Sequence, residues 1–312
     1  MFDPSTVPVL DPAGPYAGSI TMLSWILVAI SVAVLSVVVA ALWIAFFGGE
    51  RLKAKLGGTK VIWIGGIGFP VIVLTLLLVY GLSLTRNLTA PVPADAMRVR
   101  ITGEMWWWRI AYLDRQGRPY MFDANELHIP AGRPVVLELE SNDVIHSFWV
   151  PRLSGKLDMV PGRRNILPIQ ADLPGTFAGQ CAEYCGGPHA LMGFVVVAHE
   201  PVAFEAMMAA RRTSRPAKQM ERGQGAMLFR STGCAACHRI AGTAANGTAG
   251  PDLTHVGSRR SLGAGILPNN RGTMMGWIGD SQSIKPGNRM PSYKMLSAAE
   301  LQTLASYLEV QK

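Results

Sequence analysis

Two stretches near the N-terminus are apolar without interruption. Neither residues 19–47 nor residues 61–84 include a charged side chain. Each exceeds the ~20 residues that a helix needs to span a bilayer. A helix buried in a soluble core would show a polar stripe over that length. The pattern therefore predicts a hairpin of two transmembrane helices. Pro70 falls inside the second, where neighbouring helices can satisfy the carbonyl it frees. The first follows a lead without Lys or Arg. It lacks the basic n-region of a signal peptide and is too long for an h-region, so it reads as a retained helix.

From Asp95 the period changes. Residues 97–102 alternate, as does the later part of 135–140, and 193–198 form a last apolar run. Residues 165–170 carry Pro168, which marks an edge strand. Short runs separated by Gly, Pro and Asn predict an all-β sandwich or barrel. Residues 106–108 are all Trp. Strand side chains alternate between faces, so at least one of the three should be exposed. Residues 201–220 read as a helical turn followed by a linker rich in Ser, Thr, Pro and Arg. Beyond 221 the pattern is helical. Residues 224–229 lead into a Cys motif, and Ser297 with Glu300 forms a capping box that opens a last helix to about Val310. The expected organisation is an N-terminal segment over 1–18, a helix hairpin over 19–90, a β-domain over 91–204, a linker over 205–220 and a small all-α domain over 221–312. No internal repeat is present.

Charge then orients the chain. Hydrophobic residues make up 49% and charged residues only 16%, with the apolar excess in the two spans. Between them lie Arg51, Lys53, Lys55 and Lys60 against Glu50. The positive-inside rule places this loop in the cytoplasm. The N-terminal segment and everything after the second span then lie on the periplasmic side of a bacterial inner membrane. The net charge of +8 is spread over this loop, Arg211, Arg212, Arg215 and Lys218, and the C-terminal part. No basic stripe alternates with aromatics, so no nucleic-acid partner is expected.

The candidate chemistry sits in two motifs that use all four Cys of the chain. The first is C-A-E-Y-C-G-G-P-H-A-L-M, with Cys181, Cys185, His189 and Met192; His146 lies upstream in D-V-I-H-S-F. Thiolates, imidazoles and a thioether form a soft set that suits copper in both oxidation states. Zinc would use Cys and His but has no use for Met192. His128 and His199 lack such a setting and read as structural or exposed. The second motif is C-A-A-C-H, with Cys234, Cys237 and His238, the pattern of covalent c-type haem attachment. An oxidising compartment would allow disulfides, but no Cys is left over for one. A chain with both motifs reads as an electron conductor.

The order His, then C-x-E-x-C-x-x-x-H-x-x-M, resembles subunit II of the haem–copper oxidases, over the helix hairpin and a cupredoxin-like β-domain. The resemblance implies a binuclear copper centre held by His146, Cys181, the Glu183 carbonyl, Cys185, His189 and Met192. It also implies a magnesium or manganese ion near the Glu183 side chain at the interface with subunit I. The run 105–112 resembles the family's aromatic segment, which makes Trp106 the electron entry point. Residues 156–163 are similar too, and place Asp158 and Arg163 at the subunit interface. One departure stands out. Many members carry a Glu shortly before the Trp of the second helix, at the mouth of a proton channel; here Lys60 precedes Trp63.

Residues 221–311 resemble class I cytochromes c. The resemblance implies one covalent haem c on Cys234 and Cys237, with His238 and Met290 as axial ligands and the Pro251 carbonyl accepting the His238 N–H. Met274, Met275, Met295 and His255 are the competing distal candidates. The implied function is an electron-transfer subunit of a bacterial cytochrome c oxidase with no oxygen-reducing site of its own. Its expected partners are subunit I, subunit III, a donor such as a cytochrome c, and the bilayer. The rival readings are the small subunit of a nitric oxide reductase and a membrane-tethered electron shuttle. Nitrous-oxide reductases share the copper motif but lack the two-helix anchor, and quinol oxidases lack the copper ligands.

Overall fold

A computed structural model describes residues 8–91, 93–213 and 221–312. Two compact units divide the chain: residues 18–91, and the preceding segment together with residues 92–312.

The apolar unit is built on two long helices. The first, α1, is Pro15–Phe47. It starts inside the segment expected to be irregular, because proline at the first helical position needs no hydrogen bond and has its φ preset. A short helix, α2 (Glu50–Leu56), carries Arg51, Lys53 and Lys55. The second long helix runs over Thr59–Leu88 as α3 (Thr59–Trp63), a wide π turn (Ile64–Gly68) and α4 (Phe69–Leu88). The wide turn precedes Pro70. Proline has no N–H, and its ring clashes with the carbonyl four residues back. The longer hydrogen-bond loop and the pair Gly65–Gly66 absorb that clash without ending the helix. The most apolar windows of the two long helices have mean hydropathies of 2.8 and 2.5, and neither is buried in protein. Such surfaces suit lipid and not water.

The second unit begins with ten strands in two five-stranded sheets. They are β1 (Met97–Glu104), β2 (Trp107–Leu113), β3 (Pro119–Ala124), β4 (Glu126–Pro130), β5 (Val135–Ser141), β6 (His146–Trp149), β7 (Leu157–Met159), β8 (Asn165–Ile169), β9 (Gly175–Cys181) and β10 (Gly193–His199). The strand orders are β3-β2-β1-β5-β8 and β4-β10-β9-β6-β7. β8 is an edge, and Pro168 sits there opposite Val136. An edge position lets proline do without a ladder donor. Inward side chains of both sheets form one core, including Ile101, Trp108, Leu139, Phe148 and Phe194. The Trp108 ring meets Phe148 and Phe194 edge-on, at 5.7 Å each, and lies 6.2 Å from the His146 ring. Such edge contacts fix aromatic orientation beyond simple burial.

The helix α5 (Pro201–Thr213) follows. It is longer than the single turn expected, because Phe204 and Met208 bury an apolar stripe in the sandwich core. Only residues 214–220 of the expected linker remain, and they lie outside the described residues. The last part holds α6 (Gln224–Ser231), α7 (Cys234–Cys237), α8 (Arg271–Ile284) and α9 (Ala298–Glu309). A two-residue ribbon, β11 (Ser261–Leu262) with β12 (Leu267–Pro268), interrupts the helices. Phe229, Ile240, Met274, Ile278, Leu304 and Leu308 make its core.

This helical domain packs on the sandwich through buried charge. Asp123 pairs with Arg211 of α5 and with Arg259 of the helical domain, at 2.8 Å each. Burial opposes ionisation of Asp123, but the two guanidiniums hold its carboxyl below the usual range. Such a cluster need not add net stability, but sliding either partner away would strand a charge in the interior.

Ser297 caps α9: its hydroxyl accepts from the Glu300 N–H, and the Glu300 carboxylate accepts from the Ser297 N–H. Ser297→Ala should lower stability by about 1 kcal/mol, or about 4–8 °C for a domain of this size. Calorimetry of the helical-domain transition checks this; Ser297→Asp should stay near the parent.

Candidate metal centres and the family they belong to

Three strand ends converge at one end of the second sheet. His146 opens β6, Cys181 closes β9 and Met192 immediately precedes β10. The Cys181 N–H donates to the Met192 carbonyl at 3.0 Å, and the Ala182 N–H to the Ser147 carbonyl at 2.9 Å. These bonds close the loop that carries Glu183, Cys185 and His189. Gly186, at φ +111°, turns it back, and a 3₁₀ turn over His189–Leu191 returns it to the sheet.

The donor atoms cluster around two sulfurs. Cys181 Sγ lies 3.8 Å from Cys185 Sγ, 3.8 Å from His146 Nδ1 and 3.2 Å from the Glu183 carbonyl oxygen. Cys185 Sγ lies 3.5 Å from His189 Nδ1 and 3.9 Å from Met192 Sδ. Two ligands about 2.0–2.3 Å from one tetrahedral ion sit roughly 3.6 Å apart, so this spacing fits soft metal ions. Among the described residues, His146, Cys181 and Cys185 have ligand atoms within 4.8 Å of one another; His189 joins at Cys185. The two sulfurs bias each other. A hydrogen bond from Cys185 pulls the Cys181 thiol down to about 3. The same contact, with burial, pushes Cys185 up.

Two neighbours orient this set. Asp143 accepts from His146 Nε2 at 2.9 Å, which leaves Nδ1 facing Cys181. It also accepts the Met105 N–H at 2.8 Å. Gly103 makes room: a Cβ there would sit 2.7 Å from the His146 ring. Asp143 lay within the motif around His146, yet spacing alone gave no sign that it would hold the ring.

The three Trp separate. Trp108 is buried in the core, and Trp106 and Trp107 are half-buried. None is fully exposed, contrary to the alternation argument. Arg109 stacks on Trp107, 4.7 Å from its ring, and the helical domain covers Trp106. The Trp106 indole N–H donates to the Cys185 carbonyl at 2.8 Å. Glu183, Asp158 and Arg163 are exposed. His128 is buried against His199, 2.9 Å between ring nitrogens, so it serves packing.

The second motif folds as expected for an attachment site. Cys234 and Cys237 are free thiols at the two ends of α7. His238 Nδ1 donates to the Pro251 carbonyl at 2.8 Å, which leaves Nε2 for a metal. Gly250 admits the ring: a Cβ there would lie 2.7 Å from it. Half-buried Leu253, Met275, Met290 and Tyr293 pack on the core of the same domain, and such side chains suit an apolar porphyrin. The Met290 carbonyl accepts from Ser281 Oγ at 2.8 Å and from Gln282 Nε2 at 2.7 Å. Met274 is committed to the core and Met295 is exposed. His255 is buried away from water.

Family models match parts of both metal-bearing domains: "Cytochrome C oxidase subunit II, periplasmic domain" over residues 116–199, and "Cytochrome c" over residues 223–312. Cytochrome c oxidase subunit 2 of Alkalihalophilus pseudofirmus is 35% identical over 97% of this chain and 90% of its own length. The chain belongs to the cytochrome c oxidase subunit 2 family. The Bacillus subtilis protein of that name is 29% identical over 96% of this chain and 90% of its own length. The crystal structure of the periplasmic domain of subunit II from Bradyrhizobium japonicum is 29% identical and covers 38% of this chain and 96% of that one, at a TM-score of 0.34. Membership makes this subunit II a membrane protein of an oxidoreductase complex, with a periplasmic domain, copper and haem binding, and a place beside subunit I.

Asp143→Ala should weaken copper binding about 10–100-fold, because it frees the His146 ring without removing a ligand. Competition with a copper chelator, followed through the thiolate absorption band, checks this.

Proposed function

We propose that this chain is the electron-entry subunit of a bacterial cytochrome c oxidase, passing electrons from a donor by way of haem c and a binuclear copper centre to subunit I. The observation that carries the reading is the set of four donors around the Cys181 and Cys185 sulfurs, with Trp106 bonded to the Cys185 carbonyl. His146, Cys181, the Glu183 carbonyl, Cys185, His189 and Met192 would hold two coppers. Cys234 and Cys237 would tether one haem c, with His238 and Met290 on its iron. When bound, these groups take up and release single electrons. The chain's own work is to hold them rigid, so that little rearrangement accompanies each change of charge.

The exposed Glu183 side chain would meet a magnesium or manganese ion at subunit I, and the exposed Asp158 and Arg163 would belong to the same interface. Two spans joined by a basic loop support a multi-pass inner-membrane protein with both metal domains periplasmic. Subunit III and a cytochrome c donor complete the proposed assembly. The relatives' name favours oxygen over nitric oxide as the final acceptor. No relative named here is an electron shuttle without a catalytic partner.

Rapid mixing of the full chain with a reductant tests the order of carriers. The haem band should respond first and the copper near-infrared band second, at a rate independent of protein concentration. Trp106→Ala should slow the second phase while the copper band persists. An unchanged rate places entry elsewhere, and loss of copper makes Trp106 a structural support.

Met290→His should keep the haem but lower its potential, because imidazole donates more strongly to ferric iron than a thioether does. Met295→His should leave the potential near the parent value. Redox titration of both variants checks this, and the reverse result would reassign the distal ligand.

A further inference from the structure

The helical domain and the sandwich share a continuous face, and one side chain crosses it. Lys285 follows the end of α8 and is only 2% exposed. Its ammonium donates to three backbone carbonyls: Trp106 at 2.6 Å, Leu191 at 2.8 Å and Gly263 at 2.9 Å. An ammonium has three N–H donors, so each is used. Two acceptors belong to the sandwich and one to the domain of Lys285 itself. Leu191 precedes the ligand Met192, and Trp106 bonds the Cys185 carbonyl. A single cation thus ties the copper loop, the Trp106 backbone and the haem domain together. Among the described residues no carboxylate pairs with it.

The loop after Lys285 is stiff. Asn288 Nδ2 donates to the Ser281 and Lys285 carbonyls, at 3.0 and 2.7 Å, and the Met290 N–H donates to Asn288 Oδ1 at 2.8 Å. Gly287 lies on the Trp106 indole; a Cβ there would be 3.7 Å from the ring. Arg289 reaches Asp143 at 3.5 Å. The segment that leads to Met290 therefore has a fixed position over Trp106, set where Lys285 is anchored. The Gly193 N–H, next to Met192, crosses the same face to the Ala264 carbonyl at 3.0 Å. The Arg260 N–H crosses it to Glu126 Oε2 at 2.9 Å.

We propose that Lys285 is the positioning residue for electron transfer from the haem domain to the copper site. It holds the two domains in one docked register, so the haem domain acts as a fixed relay and not as a tethered shuttle. This rests on the ligand assignments of the proposed function. Removing the ammonium leaves three carbonyls facing a cavity, a cost that favours separation of the two faces.

The test uses the full-length, metal-loaded protein and two readouts. Amide exchange at Gly193 and Arg260 reports docking, since both N–H groups donate across the face. Stopped-flow reports haem-to-copper transfer. Lys285→Met should raise exchange at both amides at least tenfold and slow transfer at least tenfold, with the haem spectrum, haem potential and copper band at parent values. Lys294→Met removes an exposed charge of the same domain and should change neither. If Lys285→Met fails to take up haem, Lys285→Arg carries the test. It keeps the charge but spreads the donors over a planar fork, and should move both readouts the same way by at least threefold. Unchanged exchange overturns the proposal, even if transfer slows, because Lys285 would then act through its charge. Faster exchange with unchanged transfer overturns it as well. A parent protein lacking the haem or copper band would defeat the functional reading instead, and exchange would still decide the docking role.

Discussion

Two sulfurs 3.8 Å apart in a buried loop set the terms for the rest of the metal domain. Thiolates at that distance repel, and burial strengthens the repulsion. They stay together only if they share a proton or a metal and if the backbone leaves them no room to part. The β9–β10 ladder supplies that restraint, through the bond from the Cys181 N–H to the Met192 carbonyl. His146, held by Asp143, closes one side, and His189 with Met192 closes the other. The sandwich core supports this end of the sheet, with Trp108 within 6.2 Å of the His146 ring. A ligand set assembled in this way has little freedom to rearrange when its charge changes.

The same restraint extends across the domain face. Trp106 bonds to the Cys185 carbonyl, and its own carbonyl accepts from Lys285 of the opposite domain. At the far rim, Asp123 receives one Arg from α5 and one from the helical domain. The first is an amine on backbone carbonyls and the second an ion-pair cluster; both are buried, and neither tolerates sliding, because a displaced partner would leave a carbonyl or a charge unsatisfied. An apolar face of equal area would accept several registers. Burial also pushes the Lys285 ammonium down to about 7.

Much of this was legible in the chain. The membrane spans followed from the absence of charge over 19–47 and 61–84, and the Pro168 edge strand and the Ser297 cap from local rules that do not depend on what packs nearby. The Cys, His and Met spacings named the metal chemistry because the donors lie within one loop. Asp143 and Lys285 were not legible: one is a common neighbour of a His, and the other lies 94 residues from Leu191, whose carbonyl accepts its proton. The Trp run misled for a related reason. Alternation governs only Trp107 and Trp108, because Trp106 lies in the turn before β2, and no local rule says that a second domain covers Trp106 and that Arg109 covers Trp107. Residues 201–213 carry an apolar stripe, Phe204 and Met208, that makes sense only against the sandwich, so local pattern shows one helical turn where the fold holds a longer helix.

The sequence by itself therefore determined composition-level and local properties: where the chain is apolar enough for a bilayer, which stretches favour strand or helix, and which donor atoms a single loop can offer a metal. Each depends on residues within a turn or two of one another. Tertiary structure decided the rest. It placed His146 beside Cys181 across 35 residues, brought Lys285 to Trp106 across 179, and set Arg259 on Asp123 across 136. Contacts at such separations arise from the shared burial of faces and from the need to satisfy buried polar groups, and no local pattern encodes which partner will meet that need.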